Sequence, residues 1–109
     1  MPVPATPTDR GHLAPASAAP PTGERVDVLA GGGGALIEHI LSSAAVEAVD
    51  YDQDHDEWVL VVEGSATLDV EGEAVALAEG DWIVLRAHQR HRVVATAQGT
   101  RWLAVHLPR

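Results

Sequence analysis

Four residues that can bind a metal or move a proton alternate along one acidic stretch of the chain. Residues 50–57 read Asp-Tyr-Asp-Gln-Asp-His-Asp-Glu. In an extended segment, successive side chains point to opposite faces, which predicts that one face collects Tyr51, Gln53, His55 and Glu57. Phenol, amide, imidazole and carboxylate groups together suit metal binding or acid-base chemistry. A charged segment whose side chains all meet water fits the same pattern.

The elements around this stretch are predicted to be β-strands. From Arg25 onward, short apolar segments alternate with turn residues such as the glycine run at 31–34, Gly64, Gly72 and Gly80. This spacing predicts about nine strands, one of them over residues 46–57. Residues 58–62 and 102–107 are apolar on both faces, which favours burial between layers. The pattern therefore indicates an all-β sandwich or barrel, with a helical turn at 44–48 as a local alternative.

Composition limits the chain to one domain and excludes several partners. Residues 1–24 hold six of the seven prolines and have no strand or helix period, which predicts a flexible tail before a domain at 25–109. A net charge of −9 argues against nucleic acid and anionic membranes as partners. Without cysteine, any metal must be held by nitrogen and oxygen atoms. Neither a leader peptide nor a membrane span is recognisable, so the expected location is the cytoplasm.

Two spacings resemble the motifs of the cupin family. Six residues separate Glu57 from Gly64, and Gly80 precedes His91 at the end of a strand-loop-strand unit. More narrowly, residues 51–53, 57–59 and 87–93 are similar to a group of small single-domain bacterial cupins. The resemblance covers about residues 26–107. It implies a double-stranded β-helix, or jelly-roll barrel, preceded by a disordered N-terminal tail.

The cupin resemblance also implies where a metal would bind. Family members carry two histidines and a glutamate in the first motif and a final histidine in the second. Glu57 and His91 match, whereas Tyr51 and Gln53 stand where the two histidines are expected. The implied metal ligands are Glu57, His91 and the amide oxygen of Gln53, with His55 able to replace a missing histidine if the strand bends. Such donors suit Mn, Fe, Ni or Zn better than copper(I), which prefers sulfur.

The remaining histidines have less defined roles. In the second motif, Arg86 replaces the proline of the family and His88 replaces a glycine. His88 is expected at the barrel mouth, where it and Tyr51 are candidate catalytic residues that move a proton. His39 and His106 lie in apolar strands, where a histidine is more often a hydrogen-bonded structural residue than a ligand.

Three hypotheses follow for the function. The first is a small cupin that binds a divalent metal and acts on a small molecule, its reaction unassigned. The second is a metal-free module that binds a small ligand and uses Glu57 and His91 as a buried pair. The third is a structural protein that dimerises through an edge strand. Homodimerisation is compatible with all three.

Overall fold

The computed structural model describes residues 9–108. Within them lie one short 3-10 helix, Ala16–Ala18, and eight antiparallel strands. The strands are β1 (Glu24–Gly32), β2 (Ala35–Ser42), β3 (Asp56–Glu63), β4 (Ser65–Val70), β5 (Glu73–Ala78), β6 (Trp82–Leu85), β7 (His91–Thr96) and β8 (Thr100–Leu107). None of the helical structure in this part of the chain is long and apolar enough to cross a membrane.

The strands form two sheets that enclose the core. The larger sheet has the order β1-β2-β8-β3-β6 and the smaller has the order β5-β4-β7. Buried side chains from both sheets pack into one apolar cluster: Val59, Val61, Ala66, Leu68, Val70, Leu77, Leu85 and Trp102. The all-β jelly-roll prediction is confirmed.

Alternation along β3 decides which side chains reach the barrel interior. Glu57, Val59 and Val61 are buried, whereas the intervening Trp58 and Leu60 are only partly buried. A carboxylate in the buried series therefore enters the interior because it shares the parity of two core valines. The same period on β8 buries Trp102 and Ala104.

The predicted strand over residues 46–57 was wrong. Most of it is irregular, and β3 begins only at Asp56, so the chain has eight strands where about nine were predicted. Aspartate is a poor strand former, and the repeated aspartates before β3 keep that segment out of the sheet. The alternative helical turn at 44–48 is also not formed. One isolated antiparallel bridge remains, between Tyr51 and His91.

The segment before β1 contacts the turn between β7 and β8. The predicted flexible tail covers residues 1–24, of which residues 1–8 lie outside the described chain. In the described part, the side-chain amide of Gln98 donates to the carbonyl of Pro20 at 3.2 Å. A Cβ added to Gly99 would lie 3.2 Å from the carbonyl oxygen of Ala16, so the backbones approach closely there. These contacts place the 3-10 helix beside the β7–β8 turn.

Candidate functional site

A cavity of about 190 Å³ lies inside the barrel and combines an apolar wall with polar groups. The apolar side chains are Val26, Ile40, Val59, Leu68, Leu85, Val93 and Trp102. The polar side chains are Glu24, Glu38, Tyr51, Gln53, Glu57, His91 and His106. A small apolar cavity with a few convergent polar groups is the usual form of a ligand site.

Tyr51 and His91 are paired through both their backbones and their rings. Their backbones form a reciprocal pair, with the Tyr51 N–H donating to His91 O at 2.8 Å and the His91 N–H donating to Tyr51 O at 3.1 Å. Their rings stack with centroids 5.3 Å apart and an interplanar angle of 17°. Burial, and then the charges of Glu24 and Glu57, raise the pKa of the Tyr51 hydroxyl. The phenol therefore remains protonated at neutral pH and can donate a hydrogen bond.

Gln53 and Glu57 line the cavity two periods of the side-chain alternation apart, and Glu57 is buried. Burial raises the pKa of Glu57, and the nearby His106 and His91 oppose that shift. The Gln53 amide likewise acts on the Glu57 carboxyl to lower its pKa. The Gln53 Oε1 atom is buried and has no hydrogen-bond partner within residues 9–108. A buried amide oxygen without a partner is costly in an interior, and a bound ligand or ion would satisfy it.

The loop before β7 fixes the His91 ring. His91 Nδ1 lies 3.0 Å from the carbonyl oxygen of Gln89, to which it can donate. The side-chain oxygen of Gln89 accepts from the Arg86 N–H at 3.0 Å, which closes the loop on itself. When Nδ1–H donates to a carbonyl, the neutral ring keeps its lone pair on Nε2. Histidines that bind metals are commonly held in this way.

A carboxylate and two histidines form a further cluster, of which the sequence singled out both histidines but not the carboxylate. His106 Nε2 lies 2.7 Å from Glu38 Oε1 and 3.8 Å from Glu57 Oε2. On its other side, His106 Nδ1 lies 2.8 Å from His55 Nε2. Glu38 was missed although a lone carboxylate in the apolar strand β2 is unusual, because only the register of β2 with β8 places it near His106.

His55 and His88 lie outside the cavity lining among the described residues. Both ring nitrogens of His55 are engaged, Nε2 with His106 and Nδ1 with Asp54 at 3.1 Å. His88 is exposed, and its ring lies 2.9 Å from Asp52. His88 has a φ of 61°, the left-handed conformation that glycine adopts most readily. Of the six predicted site residues, the fold therefore brings together Tyr51, Gln53, Glu57 and His91.

His39 lies on the opposite face of β2 from Glu38 and is fully buried. Arg101 Nε donates to His39 Nε2 at 3.4 Å, so the ring is hydrogen-bonded to another side chain. Burial, followed by the charge of Arg101, lowers the pKa of His39. The ring is therefore neutral at neutral pH and lies away from the cavity.

The donor set can be tested against a bound metal. Within residues 9–108 there is no group of three or more His, Cys, Asp or Glu side chains arranged to hold an ion. The set of Gln53, Glu57 and His91 contains two residues of those types and one amide. These donors nevertheless fit a divalent first-row ion that keeps open coordination positions. They are an amide oxygen without a partner, a carboxylate and an imidazole whose orientation is fixed. The residues thus fit a metal, but with a donor set poorer in histidine than the family motif.

Comparisons with solved structures support this architecture. A provisionally assigned mannose-6-phosphate isomerase from Ralstonia eutropha JMP134 is 37% identical, with a TM-score of 0.75, and the match covers 91% of this chain and 100% of that one. The ectoine synthase from P. lautus is 26% identical, with a TM-score of 0.70, over 80% of this chain and 65% of the other. KdgF from Halomonas sp. is 23% identical, with a TM-score of 0.74 and 80% coverage of each chain, which shows the fold alone.

Sequence comparison gives the family. Comparison with the curated proteins found no significant match. The family model described as a cupin domain matches residues 37–106, which is more than half of the chain and includes Gln53, Glu57 and His91. The protein therefore belongs to the cupin family.

Proposed function

We propose that this cupin binds a small molecule in the barrel cavity beside a divalent metal held by Gln53, Glu57 and His91. The observation that supports the proposal is the buried Oε1 atom of Gln53, which lacks a hydrogen-bond partner among residues 9–108 and belongs to a side chain that lines the cavity with Glu57 and His91. A divalent ion, when bound, supplies Lewis-acid polarisation of a substrate oxygen.

The side chains around the cavity orient the ligand and exchange protons with it. Tyr51 donates from its hydroxyl, because the pKa of that hydroxyl is raised and the group stays protonated. Glu57 would bind the ion as a carboxylate, so metal binding releases the proton that burial favours on this group. We assign no proton transfer to His88, because its exposed ring pairs with Asp52. The 37% identical relative, provisionally assigned as an isomerase, makes isomerisation the first reaction class to assay.

The metal is tested by elemental analysis and calorimetric titration with Mn, Fe(II), Ni and Zn. We expect a stoichiometric metal in the wild-type protein. Gln53→Ala should lose at least about tenfold in affinity, because a direct ligand contributes no less than the residues that support one. His91→Ala should show no measurable binding. His88→Ala is the matched control, because it removes a histidine three residues away that does not line the cavity. Equal metal binding by the His91 and His88 variants, or none in the wild type, would contradict the proposed site.

A metal-free ligand-binding module is the second candidate. Its supporting observation is the burial of Glu57, which is 8% exposed and whose pKa burial raises, so that the fold penalises the ionised carboxylate that a metal needs. A protonated carboxyl is a poor metal ligand. In this case Gln53→Ala would lower the stability of the protein in metal-free buffer and leave its metal content unchanged.

A further inference from the structure

The charged groups of the cavity indicate what kind of molecule it takes. Three carboxyl groups line it, those of Glu24, Glu38 and Glu57, against the two imidazoles of His91 and His106. In the described chain, no arginine or lysine belongs to this lining. Carboxyl groups therefore outnumber the imidazoles. A divalent ion on the three proposed ligands would still leave Glu24 and Glu38 as carboxylates that the ion does not bind. A cleft with this balance and low-dielectric walls attracts cations and repels anions.

Four arginines of the domain form ion pairs with carboxylates outside the cavity. The ion pairs are Arg25 with Asp27 at 3.0 Å, Arg86 with Asp56 at 3.3 Å, Arg92 with Asp50 at 2.8 Å and Arg101 with Glu63 at 3.1 Å. None of these eight residues lines the cavity. A phosphate or carboxylate ligand would therefore find no guanidinium there to bind it through paired hydrogen bonds.

The cavity opens beside one of its carboxylates. Glu24 is exposed, Val26 is 50% exposed and Tyr51 is 38% exposed, so the entrance lies where β1 faces the Tyr51 segment. The Ser42 hydroxyl donates to Glu24 Oε2 at 2.7 Å and fixes that carboxylate at the entrance. Beyond it, apolar side chains such as Ile40, Leu68 and Trp102 form the wall. A molecule that enters thus meets negative charge first and apolar surface next.

We propose that the cavity binds a small organic cation, an amine or quaternary ammonium compound whose short apolar body packs on the cavity wall. This inference rests on the proposed function, since it takes the cavity to be a ligand site, and it adds the charge of the ligand. A sugar phosphate has the opposite charge and little apolar surface. The substrate named for the Ralstonia relative is therefore a poor match to this cavity.

The proposal is tested by NMR titration of the intact chain with butylamine, tetramethylammonium, 1-butanol and butyrate. The indole N–H signals report where each probe binds, because Trp102 lines the cavity whereas Trp58 and Trp82 do not. We expect saturable shifts of the Trp102 signal with the two cations, weaker shifts with 1-butanol and none with butyrate. Glu24→Gln should weaken cation binding about fivefold, the size of an exposed ion pair.

Glu73→Gln is the matched control, because it removes the same charge from an exposed position outside the cavity. It should leave cation affinity at the wild-type value. Binding of butyrate or 1-butanol as tight as that of butylamine, or equal affinity in the two variants, would overturn the cation assignment while leaving the cavity as a ligand site. If none of the four probes shifts Trp102 and no metal binds, the proposed function fails as well.

Discussion

The indole Nε1–H of Trp102 donates to the hydroxyl oxygen of Ser42 at 2.9 Å inside the barrel. Ser42 in turn donates to Glu24, so one fully buried hydroxyl joins the core tryptophan to the carboxylate at the cavity entrance. The serine hydroxyl accepts one hydrogen bond and donates the other, which suits its neighbours because an indole can only donate and an ionised carboxylate can only accept. The serine therefore couples the packing of the core to the position of a cavity group.

Replacing Ser42 with alanine tests this coupling. The variant leaves the buried indole N–H of Trp102 without its acceptor, so we expect a loss of about 1–3 kcal/mol in the free energy of unfolding. Urea denaturation measures it. Ser65→Ala is the control, since Ser65 is exposed at the start of β4, and it should change stability by less than about 0.5 kcal/mol. Equal effects of the two variants would show that the Ser42 hydroxyl is dispensable.

Tyr51 is expected to stabilise the site through its ring. Tyr51→Leu removes the stack on His91, and a stacked aromatic pair contributes about 0.5–1.5 kcal/mol beyond its buried area. Tyr51→Phe keeps the ring and should retain most of that stability while losing the hydroxyl. Thermal denaturation of the two variants separates the roles. A phenylalanine variant as unstable as the leucine variant would mean that the hydroxyl, and not the stack, is responsible.

Gly64 is predicted to tolerate no side chain. It links β3 of the larger sheet to β4 of the smaller one with a φ of 94°, and an added Cβ would lie 2.5 Å from Thr100 Oγ1. Gly64→Ala should therefore lower the free energy of unfolding by about 3 kcal/mol through backbone strain and overlap. Gly72 has a similar φ of 84° and nothing within 4 Å of its added Cβ.

The glycine pair separates strain from overlap in one denaturation experiment. Gly72→Ala carries only the left-handed strain and should lose about 1 kcal/mol. A difference between the two variants then measures the contact with Thr100. Equal losses would mean that the β4 end of the sheet moves to accept the methyl group.

Much of the architecture was predictable because local patterns agree with the final fold. Apolar alternation and turn glycines located most strand boundaries to within a residue or two, for example β4 and β5 around the Glu71-Gly72 turn. Tyr51, Gln53 and Glu57 were predicted to share one face, and all three line the cavity although the segment before Asp56 is not a strand. The side chains still alternate in this segment because the bridge between Tyr51 and His91 keeps its first residues against β7.

The rest of the site depends on strand order, which a single sequence does not reveal. Glu38 meets His106 because β2 pairs with β8, and Glu57 meets His106 because β8 also pairs with β3. These residues are far apart in the chain, and several strand orders are compatible with the same apolar pattern. His55 shares the parity of Gln53 and Glu57 and was predicted to replace a missing histidine if the strand bends. The chain does bend before β3, and the His55 ring contacts His106 outside the cavity lining.

The pH dependence of stability should report the burial of Glu57. Because burial raises its pKa in the folded protein above the ordinary value of 4.5, the folded state holds more protons than the unfolded state over the window between those two values. The stabilising contribution is complete below about pH 4.5 and is lost as the pH rises through the folded pKa. Folding therefore disfavours the ionised carboxylate relative to the unfolded chain, although His106, His91 and Gln53 act in its favour.

Glu57→Gln is expected to remove this dependence. Glutamine is a neutral mimic of the protonated carboxyl, so in metal-free buffer the variant should gain stability relative to the wild type as the pH rises from 4.5 to neutral. Urea denaturation at a series of pH values with chelator present gives the difference between the two curves. Glu73→Gln, at an exposed position, should give a curve parallel to that of the wild type. A difference between Glu57→Gln and the wild type that stays constant with pH would mean that the Glu57 carboxyl is well solvated or paired in the fold.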